Sequence, residues 1–272
     1  MSILEELFSI KGKTALVTGA ATGIGRMAAT ALVRADVNVL IASRKGDACE
    51  AVAAELNQLG GGTATGFAGD VSSEEGVTNL VNEVKSRTDS LDILINNAGV
   101  SWGQPLDEFP YAAWNKVMDV NVTGLFHLTK ELLPLLEKSA SLEDPARVIN
   151  LGSVMGTAPL ADGAYSYSAS KAAVHHLTKI LAREMAEKHI TFNAFAPGPF
   201  QSKMTAFATT TDAQVEKVGK GVPIGRIGSP EDIAGATLYL CSRAGAYVTG
   251  AIIPLDGGIH VNPERDLFKQ GE

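Results

Sequence analysis

The 272-residue chain is 45% hydrophobic and 19% charged, too apolar for a disordered polymer and rich enough for a sizeable core. A net charge of −7 and a pI near 5.3 speak against nucleic acid or an anionic membrane surface as the main partner. The N-terminus carries Glu5 and Glu6 where a secretory leader would carry bases, and no apolar run approaches the roughly 18 residues of a membrane span. The expected setting is the cytoplasm, with Cys49 and Cys241 as reduced, structural thiols.

Along the chain, short apolar runs alternate with longer helical patterns. Strands are predicted at Thr14–Val17, Val37–Ala42, Ala64–Ala68, Ile93–Asn96, Arg147–Leu151, Thr191–Ala196 and Ala251–Leu255. Helices are predicted between them at Gly23–Ala35, Gly46–Leu59, Ser73–Thr88, Tyr111–Glu137, Tyr165–Lys188 and Pro230–Cys241. In the fifth helix Val174, Leu177, Leu181 and Met185 mark an apolar stripe. Such sustained alternation implies parallel strands with helices on both faces. Right-handed crossovers then give an α/β fold of the Rossmann type, a doubly wound parallel sheet in a single domain over residues 1–272. Two segments break the rhythm. Ser139–Pro145 reads as a polar turn, and Pro197–Pro223, with no strong period, as a substrate loop spanning about 197–223.

Directly after the first strand comes Thr18-Gly19-Ala20-Ala21-Thr22-Gly23-Ile24-Gly25, and a helical run follows. Glycines at such a turn let the backbone approach a pyrophosphate, whose charge meets the open N–H groups at the helix start. The strand before and the helix after supply the context that this motif requires. The second strand ends in Ser43-Arg44-Lys45, with no acid until Asp47. A carboxylate there would accept from a ribose 2′-hydroxyl and select NAD(H), whereas an arginine pairs with the 2′-phosphate of NADP(H). NADP(H) is therefore favoured over NAD(H), although Arg44 could be an ordinary solvated charge.

Tyr167 and Lys171 stand four residues apart at the start of the fifth helix, which puts a phenol and an ammonium on one face. A free phenol ionises near pH ~10. A fixed cation beside it favours the phenolate and moves it toward the range where acid–base work is efficient.

Taken together, these motifs resemble those of the short-chain dehydrogenase/reductase family, in its compact one-domain branch. The resemblance runs from about Lys11 to Gly258 and rests on the glycine loop, Asp70, Asn96-Asn97-Ala98-Gly99, Asn121, Ser153, the Tyr167/Lys171 pair and Pro197-Gly198. It implies an oxidoreductase that interconverts a ketone and a secondary alcohol, with Tyr167 as general acid or base. Ser153 would donate to the substrate oxygen, Lys171 would tune the phenol and bind the nicotinamide ribose, and Asn121 would hold a water for proton resupply. Gly19, Thr22, Gly23, Ile24 and Gly25 would face the phosphates, and Ser43 and Arg44 the adenosine ribose phosphate. Asp70 would contact the adenine edge, and Asn97 and Gly99 the adenosine ribose. Val71 and Ala98 complete these cofactor positions. Pro197, Gly198 and the following backbone at Phe200, with Ser202, would clamp the carboxamide.

Rival readings stand beside these. Asp70 could cap the helix near Ser73, Asn96 could simply join neighbouring strands, and Asn121 could be a buried polar residue satisfied by helix backbone. Ser166 competes with Ser153. Tyr165 lacks a lysine four residues on. The spacing from Ser153 to Tyr167 is fourteen positions where thirteen is usual in the branch, and the extra residue is placed in the Leu160–Gly163 loop. Thr22 stands where many NADP-preferring relatives carry a base. The histidines make no ligand set with clustered acids, so no metal is expected; His175 and His176 are read as packing or facing solvent. Phe200, Met204, Phe207 and Trp102 could form an apolar substrate pocket. Within the family the chain is similar to NADPH-dependent 3-oxoacyl reductases, which favours a ketone on an apolar chain. Oxidation of a steroid, a sugar alcohol or another secondary alcohol stays open, as does a non-catalytic nucleotide-binding regulator. The resemblance also implies a homotetramer or homodimer, for which the two long helices could supply the interface; the role of the tail after Gly258 stays open.

Overall fold

β1 (Thr14–Thr18), β2 (Asn38–Ser43), β3 (Ala64–Ala68), β4 (Ile93–Asn96), β5 (Ala146–Leu151), β6 (Ile190–Pro197) and β7 (Ile252–Leu255) form one parallel sheet in the computed structural model, which describes residues 2–262. The order is β3-β2-β1-β4-β5-β6-β7, so the winding reverses between β1 and β4. The crevice at the carboxyl ends of the strands beside such a switch point is where ligands bind in open α/β sheets. The expected strands are all present, with ends moved by about a residue, within the usual uncertainty of such boundaries.

The sheet is buried on both faces, which is why its central strands read as unbroken apolar runs. Along β1, Ala15 and Val17 enter one core with Leu32, Ile41 and Ile95, whereas Leu16 enters the other with Leu40, Leu94, Leu128 and Phe192. Successive side chains in a strand point to opposite faces, so a single strand feeds both layers. The first layer is covered by α2 (Gly23–Arg34), α3 (Gly46–Asn57) and α10 (Pro230–Cys241), the second by α4 (Glu74–Lys85), α6 (Leu125–Ser139) and α7 (Tyr165–Met185). None of the described helices is long and apolar enough to cross a membrane.

Three features differ from the sequence expectation. A short α1 (Ile3–Phe8), capped by Ser2 and Glu5, precedes the first strand. The helix expected over Tyr111–Glu137 is α5 (Tyr111–Met118) and α6, joined by a π-helical turn at Asp119–Gly124. The substrate loop is not irregular throughout: it holds α8 (Ala206–Thr209) and α9 (Asp212–Gly221). α9 starts with a Thr211/Gln214 capping box but is mostly polar, so a search for apolar periodicity passes over it.

Asn96 is structural, as its rival reading held. Its amide donates to Thr129 Oγ1 and Asn150 Oδ1, both at 2.9 Å, and Asn150 donates to Thr178 Oγ1 at 3.0 Å. The chain ties β4 and β5 to α6 and α7 directly beneath the switch point. All four residues are buried, where polar groups are costly to leave unpaired. Asn150→Ala strands the partners on both sides and is expected to lower the unfolding free energy by about 2–4 kcal/mol, read as a shift of the urea midpoint.

Candidate active site

The first turn of α2 begins at the crevice. Gly19 and Gly23 have φ of +67° and +59°, a conformation that glycine adopts without strain. A Cβ on Gly25 would lie 2.3 Å from Asn97 Nδ2, and one on Gly23 would lie 3.0 Å from Ser202 Cβ. The loop is therefore pressed between the end of β4 and the start of the substrate loop. Thr22 caps α2 without a side-chain hydrogen bond, and the first turn carries no acid. N–H groups left open in this way suit an anion such as a pyrophosphate.

Asn97 braces this loop: its Nδ2 donates to the Thr18 and Gly19 carbonyls at 2.9 and 3.1 Å. Its side chain is thus a strut, and Ala98 and Gly99 follow it along the crevice wall. At the end of β2 the Ser43 hydroxyl contacts Cys49 Sγ at 3.1 Å, while Arg44 is exposed and forms no ion pair with any described residue. Asp70 Oδ1 accepts from Ser72 N–H at 2.9 Å, and it is Ser73 that caps α4. Val71 is buried in the second core. Phe200 cannot offer its ring to a ligand, because the ring packs in the core where a Cβ on Gly228 would meet it at 2.2 Å. Its carbonyl already accepts from Thr205 Oγ1 at 2.6 Å. Pro197 ends β6, and Gly198 is held close to Asp256, whose Cα would lie 2.9 Å from an added Cβ.

The second half of the site gathers where β5 ends. Lys171 is 5% exposed and donates from Nζ to the Leu151 carbonyl at 2.6 Å. The same nitrogen stands 5.6 Å from the centroid of the Tyr167 ring. Burial brings the Lys171 pKa down to about 8. The Tyr167 pKa is raised, because burial of its hydroxyl outweighs a hydrogen bond with Ser153 that acts the other way. The direction expected from the lysine alone is thus reversed: the low-polarity surroundings dominate both groups, and the phenol is kept protonated.

Ser153 follows β5 and caps a short turn at Val154–Gly156; its Oγ accepts from Met155 N–H at 3.2 Å. Its rival Ser166 is wholly buried, and its hydroxyl has no partner among the described residues. Tyr165 packs edge-on against Phe109, the rings 5.4 Å apart. Asn121 lies in the π-helical turn, where its side chain both accepts from and donates to the Val100 main chain, at 2.8 and 2.9 Å, and donates to Ser170 Oγ at 3.0 Å. Its amide is satisfied by a loop and a neighbouring helix instead of its own helix backbone. Gly99 leaves room for this group, since a Cβ there would lie 3.3 Å from Asn121 Oδ1 and 3.7 Å from Lys171 Nζ.

His175 is the polar residue that the sequence reading left to packing or solvent. It is buried, and its Nε2 accepts from Ser153 N–H at 3.4 Å. The signal was present: Tyr167, Lys171 and His175 recur every four residues along one face of α7.

The apolar residues expected to form one pocket do not meet. Phe200 is in the core, whereas Trp102, Met204 and Phe207 are 38%, 41% and 65% exposed. The apolar residues that follow Ser153 form a small core of their own instead, with Val154, Ala158, Leu160, Val222 and Ile259 buried against one another. The Leu160–Gly163 loop is fastened to the opposite wall, where Gln104 N–H donates to the Gly163 carbonyl at 3.2 Å. Beyond Gly258 the chain makes a turn at Ile259–Val261; residues 263–272, the rest of the tail, lie outside the described residues.

A family model described as enoyl-(acyl carrier protein) reductase matches residues 19–260. A rhamnolipid-biosynthesis 3-oxoacyl-[acyl-carrier-protein] reductase of Pseudomonas aeruginosa is 44% identical over 93% of this chain and 98% of its own. The 3-oxoacyl-[acyl-carrier-protein] reductase FabG of Aquifex aeolicus is 36% identical over 92% and 98%. Among solved structures, the Pseudomonas aeruginosa RhlG/NADP active-site complex superposes with a TM-score of 0.89, at 44% identity, over 94% of this chain and 99% of that one.

The depressed Lys171 pKa makes a stability prediction. The unfolded chain holds this proton up to about pH 10.5 and the folded, cofactor-free chain only to about 8. Between those values the unfolded state binds more protons, so stability rises with pH through the window, and the penalty of the buried ammonium is complete below it. Urea unfolding at pH 7 and pH 10 is expected to show wild type gaining on Lys171→Met by up to about 3 kcal/mol.

Proposed function

Because the chain belongs to the short-chain dehydrogenase/reductase family, a family of oxidoreductases, we propose that it reduces the ketone of a 3-oxoacyl or similar apolar-chain substrate with NADPH, through Ser153, Tyr167 and Lys171. The observation that carries this reading is that Ser153, Tyr167 and Lys171 gather beyond the end of β5, while the glycine loop follows the end of β1 on the same carboxyl edge of the parallel sheet. The bound nicotinamide supplies the hydride to the substrate carbon.

The residues of this chain handle the oxygen and its proton. Ser153 Oγ has a lone pair engaged by Met155 N–H, and its hydroxyl shares a hydrogen bond with Tyr167, so both groups face the point where the carbonyl oxygen would lie and take up negative charge. Tyr167, kept protonated by burial, is suited to deliver the proton as general acid. Lys171, held by the Leu151 carbonyl, places a cation behind the phenol as that proton departs. Asn121 fixes the Val100 backbone beside the site, and the π-helical turn around it is the place for a proton-carrying water. In the oxidative direction the same phenolate would be the base.

For the cofactor, the glycine loop and the α2 N-terminus would hold the pyrophosphate. Arg44, which has no ion-pair partner among the described residues, would pair with a 2′-phosphate. The chain is also proposed to assemble as a homotetramer or homodimer through α5–α6 and α7, where Trp114, Phe126 and Ile180 are 40%, 37% and 42% exposed.

Two measurements test the reading. Tyr167→Phe is expected to lose about 10²–10⁴-fold in kcat toward a 3-oxoacyl thioester while retaining NADPH affinity; full activity in this variant would sink the mechanism. Arg44→Ala is expected to raise the KM for NADPH about tenfold or more and leave that for NADH nearly unchanged, a cofactor assignment that fails if both respond alike.

A further inference from the structure

Resting on the role of Ser153 in that reading, we propose that His175 is a positioning residue: its imidazole accepts the Ser153 N–H at Nε2 and so fixes the direction in which the Ser153 hydroxyl points. His175 touches neither the cofactor positions nor the reacting oxygen; it acts through Ser153.

The Ser153 segment is short and lies between two glycines. Gly152 N–H donates to the Phe195 carbonyl at 2.8 Å, which anchors the segment to β6 on one side. Gly156 N–H donates to the Ser153 carbonyl at 2.9 Å, which closes the following turn. What is left is the Ser153 N–H, buried, with His175 Nε2 at 3.4 Å as its acceptor. The contact is long for a hydrogen bond, but the ring has little room to move. A Cβ on Gly152 would stand 2.1 Å from Nε2, and one on Gly156 would stand 2.8 Å from Cε1. The two glycines thus make a slot that the imidazole fills, with the ring set against the main chain of the turn that carries the donor to the substrate.

An acceptor at Nε2 requires the neutral imidazole with its proton on Nδ1, because a backbone N–H can only donate. Burial, with Lys171 and Lys179 nearby, brings the His175 pKa down to about 4, which keeps that lone pair available at neutral pH. The ring also borders an open cavity of about 520 Å³ lined by Thr157, His176, Lys179 and His260, a route by which Nδ1–H can reach water. Lysine and histidine are one helical turn apart on α7, so the same face that sets Lys171 against the Leu151 carbonyl sets His175 against Ser153. One helix face thereby fixes both the cation and the main chain of the hydroxyl donor.

The test compares His175→Gln, which can still accept through its side-chain carbonyl, with His175→Phe, which fills the slot and cannot. Each is made in wild type and in Ser153→Ala. The assays are steady-state turnover of a 3-oxoacyl thioester with NADPH, NADPH affinity by fluorescence, and thermal unfolding. His175→Phe is expected to lower kcat by roughly tenfold at unchanged NADPH affinity, the rate equivalent of one misdirected hydrogen bond, with His175→Gln recovering most of it. In Ser153→Ala the loss from His175→Phe is expected to shrink to about twofold or less, because the two residues act through one hydroxyl. Should phenylalanine overfill the slot and prevent folding, the smaller His175→Leu takes its place. The proposal is overturned if the apolar variant turns over like wild type. It is likewise overturned if glutamine and the apolar variant lose activity equally, or if the losses multiply in full with Ser153→Ala. A fully active Ser153→Ala would instead overturn the reading of Ser153 on which the proposal rests.

Discussion

An ammonium buried at the end of a parallel strand is the constraint on which this site is organised. Lys171 has the Leu151 carbonyl as its acceptor at 2.6 Å and almost no exposure to solvent. A charge in that position is tolerated only where main chain or ligand oxygens meet it, and here the end of β5 supplies the first. The same contact fixes the rotation of α7 against the sheet and so places Tyr167 before it and His175 after it. Asn121 and Gly99 then have to accommodate the nitrogen: one ties down the Val100 loop, and the other lacks the side chain that would crowd it.

The low polarity that makes Lys171 costly also sets the protonation states. It lowers the lysine to about 8, lowers His175 to about 4 and raises the phenol of Tyr167. These directions share one cause, since burial disfavours whichever form carries charge. The outcome at neutral pH is a protonated phenol, a cation close to its own titration and a neutral imidazole, which suits delivery of a proton to a developing alkoxide. A local Tyr–Lys rule predicts the opposite direction for the phenol, because it counts the nearby charge and not the burial.

Much of the architecture was legible along the chain. Apolar runs buried on two faces cannot be confused with amphipathic ones, so the seven strands could be placed within a residue, whereas several helices end two or three residues earlier than their pattern suggests. The glycine loop was legible because positive φ and close approach restrict residue choice at Gly19, Gly23 and Gly25. The substrate loop was not, because α9 is polar and held by a capping box instead of an apolar stripe. The π-helical turn was hidden for a related reason: Asp119–Gly124 keeps ordinary helical composition, and only its neighbours decide the extra residue. The pocket guessed from Trp102, Phe200, Met204 and Phe207 failed because residue type does not tell which side of a loop faces the core.

What the sequence determined by itself is therefore the family of the fold, its doubly wound parallel sheet and the residue types at the chemical centre, because backbone geometry and strand burial constrain composition directly. Only the tertiary structure decided how the residues around that centre are held: Asn97 as a brace, Phe200 in the core, and His175 in the slot behind the Ser153 main chain. Those contacts join segments twenty to eighty positions apart and depend on packing distances that local pattern does not encode.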